Sequence, residues 1–432
     1  MQADAVIIGA GVIGAAVALE LSRKGFSTIS VDRGHDAGTG STAASCAIIR
    51  VHYSTLEGSA FAYEAYFDWA NWADYLQASD EQGLARFVEC GCLVMQTPAN
   101  GFMAKHKEIC RQLSIPFEEW DAARIRERLP IYDLRSFAPP RRIDDPEFGK
   151  PNGARIEGAV FFPTAGYITD PQLAAHNLRR AAEAAGARFL FNRTVVEILR
   201  KGGRAAGVKL ADGTTIDAPI VVNVAGPASH RINALAGVTD DMNITTRPLR
   251  QEVVHVPQPE GFDFARAGMV VSDSDIACYC RPEHGGHILI GSEDPECDPR
   301  EWVDEEDFNR DFTEQWDNQA LRYAQRVPTL PIPSRKRGVV DLYDVADDWI
   351  PIYDRSSLPG FYMACGTSGN QFKNASVAGR LMAELIAYCE AGGDHDATPL
   401  QFHLPRTGFT LDAGFFSRRR AVNPESSNSV LG

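Results

Sequence analysis

The chain has 432 residues, 44% of them hydrophobic and 23% charged, with a net charge of −14 at pH 7. That length exceeds one simple core and suits two interleaved domains, and the composition is ordinary for a globular protein. The acidic balance argues against nucleic acid or an anionic membrane as the main partner, and no apolar run approaches the roughly 18 residues of a spanning helix. The N-terminus leads straight into a strand with no signal peptide in view, so a cytoplasmic location is expected. The nine cysteines, including the pairs Cys90/Cys92 and Cys278/Cys280, read as thiols of a reducing compartment. With no C-x-x-C pair and no histidine cluster at zinc spacing, no metal is expected.

Ala5 to Ile8 is a short apolar run that reads as a buried strand. Gly9-Ala10-Gly11-Val12-Ile13-Gly14 follows at once, then a helical pattern through Ala15, Val17, Ala18 and Leu21, ended by Gly25. Phe26 to Val31 is a second strand, closing on Asp32 and Arg33. This is the order a dinucleotide site requires. Gly9 permits the tight turn, Gly11 lets the backbone approach a pyrophosphate, and Gly14 lets helix and strand pack closely. The helix start offers free N–H groups and a positive dipole end to the phosphates. Asp32, eighteen residues after Gly14, suits the ribose hydroxyls and disfavours a 2′-phosphate. The motif alone does not separate FAD from NAD.

Gly34 to Ser45 is small, polar and glycine-rich, a loop expected to lead into a helix with Ser41, Thr42 or Ser45 as caps. Ala47 to Tyr53 mixes apolar residues with Arg50, His52 and Tyr53. Phe61 to Leu76 reads as helix, Cys90 to Met95 as strand, Met103 to Leu113 and Asp121 to Leu129 as helices, and 130–149 as Pro-rich loop. Short strands follow at Gly158–Pro163 and Gly166–Ile168. Asp170-Pro171 starts a helix to about Ala185. Strands at Ala187–Phe191 and Thr194–Leu199 and a hairpin around Asp212-Gly213 precede the buried strand Ile220–Gly226. Arg247–Pro257 and Met269–Glu293 are strand-rich, Glu301–Arg326 reads as an acidic, solvated helix, and Gly338–Tyr353 begins extended. Phe361–Gly366 is a strand running into glycine, Thr367–Lys373 a polar turn, and Ser376–Cys389 a helix. Residues 422–432 are expected to be disordered.

Four segments share a pattern: the N-terminal fingerprint, Ser45 to Tyr53, Asn223-Val224-Ala225-Gly226-Pro227, and Gly366-Thr367-Ser368-Gly369-Asn370-Gln371-Phe372-Lys373. In combination the chain resembles the flavoproteins of the D-amino acid oxidase and sarcosine oxidase superfamily, most of all the sarcosine oxidase and sarcosine oxidase β-subunit branch. The resemblance covers most of residues 1–395. It implies FAD, and an α/β fold with an α+β second domain: a Rossmann-type FAD-binding domain over 1–77, 150–245 and 331–395, and an antiparallel-sheet substrate domain over 78–149 and 246–330. Residues 396–432 form a C-terminal extension. The expected cofactor-binding set is Gly9, Gly11, Val12, Ile13, Gly14, Asp32, Arg33, Ser41, Thr42, Ser45, Cys46, Ala47, Val196, Ala225, Gly226, Gly366, Ser368, Gly369, Asn370, Gln371, Phe372 and Lys373. Val196 enters because Thr194-Val195-Val196 matches the family's Thr-x-Val strand, which lends its valine backbone to the adenine.

The Ile-Ile-Arg and Ser-Gly-x-x-Phe-Lys segments that hold the substrate carboxylate in monomeric sarcosine oxidases are matched by Ile48-Ile49-Arg50 and by Ser368 to Lys373. The resemblance therefore implies catalytic-site roles for Arg50 and Lys373, and for Tyr279. For Arg50 alone, a surface salt bridge is the competing reading; for Tyr279 it is packing in a sheet. Two departures stand out. Asp341 occupies the position of the cysteine that links the flavin covalently, so FAD is expected to be noncovalent, although Cys46 and Cys365 lie in segments that can approach it. Leu289 stands where that family has a lysine assisting oxygen reduction, so a dehydrogenase becomes plausible. His255, His284 and His287 are candidates for site polarity, each more often structural or exposed.

The chemistry implied is FAD-dependent oxidation of a carboxylate-bearing primary or secondary amine, of sarcosine, N-methyl or D-amino acid type, to an imine that hydrolyses. Backbone donors from Gly366 to Gln371 are candidates to stabilise charge on the reduced flavin. The acceptor is oxygen or an electron-transfer partner. The alternatives are a 2-hydroxy acid dehydrogenase of the same fold, or an FAD-binding subunit or assembly factor that needs a partner chain.

Overall fold

In the computed structural model, which describes residues 1–431, two large sheets divide the chain. The first has the order Ile352–Arg355, Phe361–Cys365, Ile220–Asn223, Ala5–Ile8, Thr28–Val31, Arg188–Leu190, parallel except at the Ile352–Arg355 edge. The run at Ala5–Ile8 is apolar at every position because both faces are covered. Ala5 and Ile7 join a core under helices Val12–Arg23, Pro171–Ala184 and Ala375–Glu390. Val6 and Ile8 join a second core beneath the small sheet of Val195–Lys201, Arg204–Leu210 and Thr215–Asp217.

The second sheet has nine strands. Its order is Glu301–Trp302, Thr246–Pro257, His287–Ser292, Cys278–Glu283, Val270–Asp273, Cys92–Gln96, Gly158–Phe162, Glu118–Asp121, with Gly338–Ala346 also paired to Thr246–Pro257. It is antiparallel except where Val270–Asp273 runs parallel to Cys92–Gln96. The expected boundaries at 150 and 331 group Gly158–Phe162 and Gly338–Ala346 with the nucleotide sheet. Pairing places both in the nine-stranded sheet.

Three local expectations are corrected. No helix follows Gly34–Ser45; turns lead into the two-residue strand Ile48–Ile49, and Thr42 accepts the Val12 N–H at 3.1 Å instead, serving the helix that starts beside it. The helix expected from Glu301 begins at Glu314, where the Thr313 side chain caps it. Nor is that helix merely a solvated face. Trp316, Ala320 and Tyr323 are buried in the core of the second sheet, and Arg326 lies between the buried carboxylates Asp273 and Asp275, at 2.6 and 2.9 Å. Periodicity does not distinguish a paired arginine on a buried face from one in solvent.

Residues 422–431, expected as disordered, run along the protein; Gly432 lies outside the described residues. Arg420 pairs with Asp348, Ser426 donates to the Asp348 carbonyl at 2.5 Å, and Val430 is buried. Among the described residues no helix is long and apolar enough to cross a membrane, and all nine cysteines are free.

Candidate active site

Between the sheets lies a cavity of about 1070 Å³, large enough for a dinucleotide and a small substrate. At one end is the glycine turn. Gly9 has φ +111°, and a Cβ on it would lie 2.2 Å from the Val224 carbonyl oxygen; a Cβ on Gly14 would lie 2.2 Å from the Gly9 carbonyl oxygen. Turn, helix and the neighbouring strand are thus in main-chain contact. Gly11 meets only Thr42 Oγ1, at 3.1 Å, and borders the cavity. The helix that starts there carries no acidic residue in its first turn, so its positive end faces the space unneutralised.

Asp32 borders the same end and is already engaged: one carboxylate oxygen accepts Ala10 N–H and the other Gly34 N–H, both at 2.6 Å. It pins the glycine turn to the following loop, and each oxygen keeps a lone pair for a ribose hydroxyl. At Val196 the strand pairing skips a residue, from Val195↔Leu210 to Glu197↔Lys209. The bulge leaves Val196 half-exposed beside the cavity with its main chain outside the ladder, as an adenine contact through backbone atoms needs. Ser41 donates to the Leu342 carbonyl at 2.9 Å, tying the glycine-rich loop to the second sheet.

At the other end stand two cations. Arg50 leaves the strand Ile48–Ile49, donates to the carbonyls of His52 at 2.6 Å and Val430 at 2.9 Å, and lies 4.4 Å over the Tyr53 ring. Lys373, in the turn Phe372–Asn374, donates to Tyr53 Oη at 2.9 Å and to the Asn370 carbonyl at 2.5 Å. Both are buried, both line the cavity, and neither has a carboxylate partner among the described residues. A surface salt bridge is therefore not what Arg50 makes. Burial pushes the Lys373 ammonium well below the ordinary lysine range, and Arg50 nearby pushes it the same way. Burial likewise lowers Arg50. Such a pair calls for an anion.

The facing wall is one side of the nine-stranded sheet. Strand partners share a face, so the pairs Val270↔Cys92 and Ser272↔Tyr279 turn all four residues the same way, and all four line the cavity. The Tyr279 ring lies against Gly291, where a Cβ would come within 2.2 Å of it, and its hydroxyl is 3.6 Å from Cys46 Sγ.

Of the residues expected from sequence, the cavity wall includes Gly9, Gly11, Val12, Ile13, Gly14, Asp32, Arg33, Ser41, Thr42, Ser45, Cys46, Ala47, Arg50, Val196, Ala225, Gly226, Tyr279 and Gly369 to Lys373. Gly366 and Ser368 are not in it. Ser368 is fully buried, accepting Ala346 N–H and donating to the Gly366 carbonyl, both at 3.1 Å, so it shapes the loop from behind. The N–H groups of Gly366, Ser368 and Asn370 are spent within the protein; those of Gly369 and Gln371 have no acceptor among the described residues. Cys365 is buried in the core under the nucleotide sheet, away from the cavity wall. Leu289 packs with Cys46 and Tyr279 on the same face of the sheet but is not part of the cavity wall. Of the three histidines singled out, none borders the cavity: the His255 and His287 rings meet at a tilt, 4.7 Å between centroids, and His284 is exposed. The histidine at the site is His52, stacked 4.1 Å from Phe162. Its place beside Arg50 in sequence was a signal; nothing local pointed to Gln251, Ser272, Asp344 or Val430, which also line the space. Asp80, Glu81 and His176 come together elsewhere, with polar atoms already bonded to Asn177, Gln82 and Arg180.

Residues 4–385 match the profile of the family described as FAD dependent oxidoreductase. Among curated proteins, the chain is 25% identical over 427 residues to FAD-dependent oxidoreductase domain-containing protein 1 of Bos taurus, covering 89% of this chain and 81% of that one. It is 23% identical over 407 residues to a 4-methylaminobutanoate oxidase (formaldehyde-forming) of Paenarthrobacter nicotinovorans, covering 92% of this chain but 45% of that protein. Among solved structures it is similar to L-proline dehydrogenase from P. horikoshii (TM-score 0.75, 20% identity, 97% of each chain). It is also similar to glycine oxidase from Geobacillus kaustophilus (TM-score 0.73, 20% identity, 98% of this chain and 100% of that one). The chain belongs to the FAD dependent oxidoreductase family.

Proposed function

We propose that this FAD-dependent oxidoreductase oxidises a primary or secondary amine that carries a carboxylate, of N-methyl or D-amino acid type. The observation that carries this reading is the pair Arg50 and Lys373, buried together at one end of the dinucleotide cavity with no carboxylate bonded to either among the described residues. A substrate carboxylate supplies that anion. Held there, the substrate is fixed in one orientation, and the entropy of alignment is lost on binding rather than in the chemical step. The FAD supplies the two-electron acceptor. The substrate gives up the hydrogen on the carbon next to nitrogen and leaves as an imine, which hydrolyses. The names of similar proteins, among them N-methyl-L-tryptophan oxidase of Yersinia pestis and iminodiacetate oxidase of Chelativorans, agree with an amine adjacent to a carboxylate.

The residues fit FAD at both ends: the glycine turn and Val196 for the adenosine half, and the N–H groups of Gly369 and Gln371 for the isoalloxazine. Asp341 in place of a cysteine supports a noncovalent flavin, and acid precipitation should leave all of it in the supernatant. The apolar Leu289 beside Tyr279 favours an acceptor other than oxygen.

The test is an anaerobic visible spectrum of the purified protein titrated with sarcosine, N-methyl amino acids, D-amino acids and 2-hydroxy acids. Bleaching by an amino acid is the expected result, and slow recovery on admitting air marks a dehydrogenase. Bleaching by hydroxy acids alone overturns the amine assignment, and bleaching by nothing points to a partner-dependent subunit or an assembly factor.

A further inference from the structure

On the wall facing Arg50 sits a buried carboxyl group with no bonded cation among the described residues. Glu293 follows the strand His287–Ser292 and is 7% exposed. It has no lysine, arginine or histidine partner among the described residues. Its carboxylate instead accepts two hydroxyls, Ser272 Oγ at 2.6 Å and Ser274 Oγ at 2.8 Å. Ser272 lines the cavity, in register with Tyr279 across the sheet. Glu293 is two residues from Gly291, the partner of Tyr279 in the next pairing, and so is set on the same side of the strand. A hydroxyl that touches the cavity on one side and a buried carboxylate on the other is a one-step proton wire.

We propose that Ser272 and Glu293 take the proton from the bound substrate ammonium, producing the neutral amine that can be oxidised. This rests on the amine reading above. An ammonium N–H bond breaks and its proton passes to Ser272 Oγ; the Ser272 proton passes to Glu293 Oε1; the electron pair of the broken bond stays on nitrogen. No oxidant is consumed in this step, and the released proton stays inside the protein until product leaves.

The electrostatics suit the role. Burial raises Glu293 to about 7, against the two serine hydroxyls, which lower it. The other ionisable groups facing it are Asp273, Arg50, Cys92 and Cys278. Asp273 is neutralised by Arg326, and burial pushes both thiols up, so they stay uncharged. Asp294, next in the chain, is held by Gln251 at 2.7 Å. Arg50 is the one cation in this group, and a bound substrate carboxylate offsets it. Glu293 is then left as a proton acceptor matched to neutral pH.

The experiment is anaerobic stopped-flow bleaching of the flavin, from about pH 6 to about pH 9. The substrate is the amino acid that bleaches the wild type best in the titration above, at saturation. Wild type is compared with Glu293→Gln, Glu293→Asp and Ser272→Ala, each first matched for flavin content and melting temperature. In Glu293→Gln the rate at neutral pH should fall by about a hundredfold, the lower end of a general-base contribution. It should then climb about tenfold per pH unit, as solvent takes over the deprotonation. Glu293→Asp should restore most of the rate, and Ser272→Ala should share the steep profile. Acetate, a carboxylate without an amine, should perturb the flavin spectrum of all four proteins at the same concentration. Wild-type profiles in both Glu293→Gln and Ser272→Ala overturn the proton wire while leaving the amine reading intact. Failure of every amino acid to bleach the wild type overturns both.

Discussion

Lys373→Met separates a substrate-binding cation from a structural one. An ammonium has three donors, and Lys373 spends two, on Tyr53 Oη and the Asn370 carbonyl, leaving one for a ligand. A single charge-assisted hydrogen bond contributes about 1.5–3 kcal/mol, so a carboxylate ligand should bind roughly tenfold to 150-fold more weakly without it. Stability should move the other way or not at all. The variant removes a buried charge that no carboxylate among the described residues pairs with, and the Asn370 carbonyl keeps its bond from Tyr53 Oη at 2.7 Å. The assay is a spectral titration with acetate and with the bleaching amino acid under anaerobic conditions, beside a melting curve and the flavin content. The pH dependence gives a second check. Only protonated Lys373 attracts the anion, and its pKa lies well below the ordinary value, so wild-type affinity for acetate should fall as pH rises through that lowered pKa. The variant should lack this limb. Unchanged acetate affinity together with a large drop in melting temperature would refute the carboxylate role and make Lys373 a structural residue.

Gly14→Ala places a methyl group against the Gly9 carbonyl oxygen at 2.2 Å, so the turn must open; the purified variant should be colourless while wild type is yellow, and a full flavin spectrum would contradict this. His106 is buried, neither ring nitrogen has a partner, and burial holds it down to about 3. Since its folded pKa lies below the unfolded value, the unfolded chain binds the extra proton and stability falls as pH drops below about 6.5. Between about pH 8 and about pH 5 that loss is about 2 kcal/mol; urea midpoints of wild type and His106→Leu at those two pH values should show the loss reduced by this amount in the variant. Arg326→Met leaves Asp273 and Asp275 buried without their cation, which should cost about 3–5 kcal/mol, read as a lowered urea midpoint; a change below about 1 kcal/mol would mean the two acids protonate at little cost.

What was legible in the sequence is what is local. The glycine turn, its helix and Asp32 lie within one short stretch, and each residue type there is set by its nearest neighbours. Arg50 and Lys373 were found through two short segments, although nothing in either segment says that they converge. Contacts made across the chain were not legible. Ser272 meets Glu293 only because two strands bring their ends together, and Val430 reaches Arg50 across 380 residues of sequence. The helix from Glu314 reads as a solvated face for the same reason: its arginines look solvated until the acids opposite them are known. Val196 lies between these cases, since its segment was recognised but the bulge that frees its main chain depends on pairing with Leu210 and Lys209.

The placing of Ile220–Asn223 has a bearing on how the chain is made. That strand bonds Ala5–Ile8 on one side and Phe361–Cys365 on the other. A chain emerging from the ribosome therefore presents its fingerprint strand early, yet the sheet that contains it stays open until residue 365 is out. Ala5–Ile8 gains Thr28–Val31 on one edge early, but its other edge waits for Ile220–Asn223. Closure over such separations is slow, and in the interval the edge of Ile220–Asn223 that later takes Phe361–Cys365 is open to association. The cavity wall draws on residues from Gly9 to Lys373, so the full dinucleotide site is assembled only once Phe361–Cys365 and the turn after it are in place.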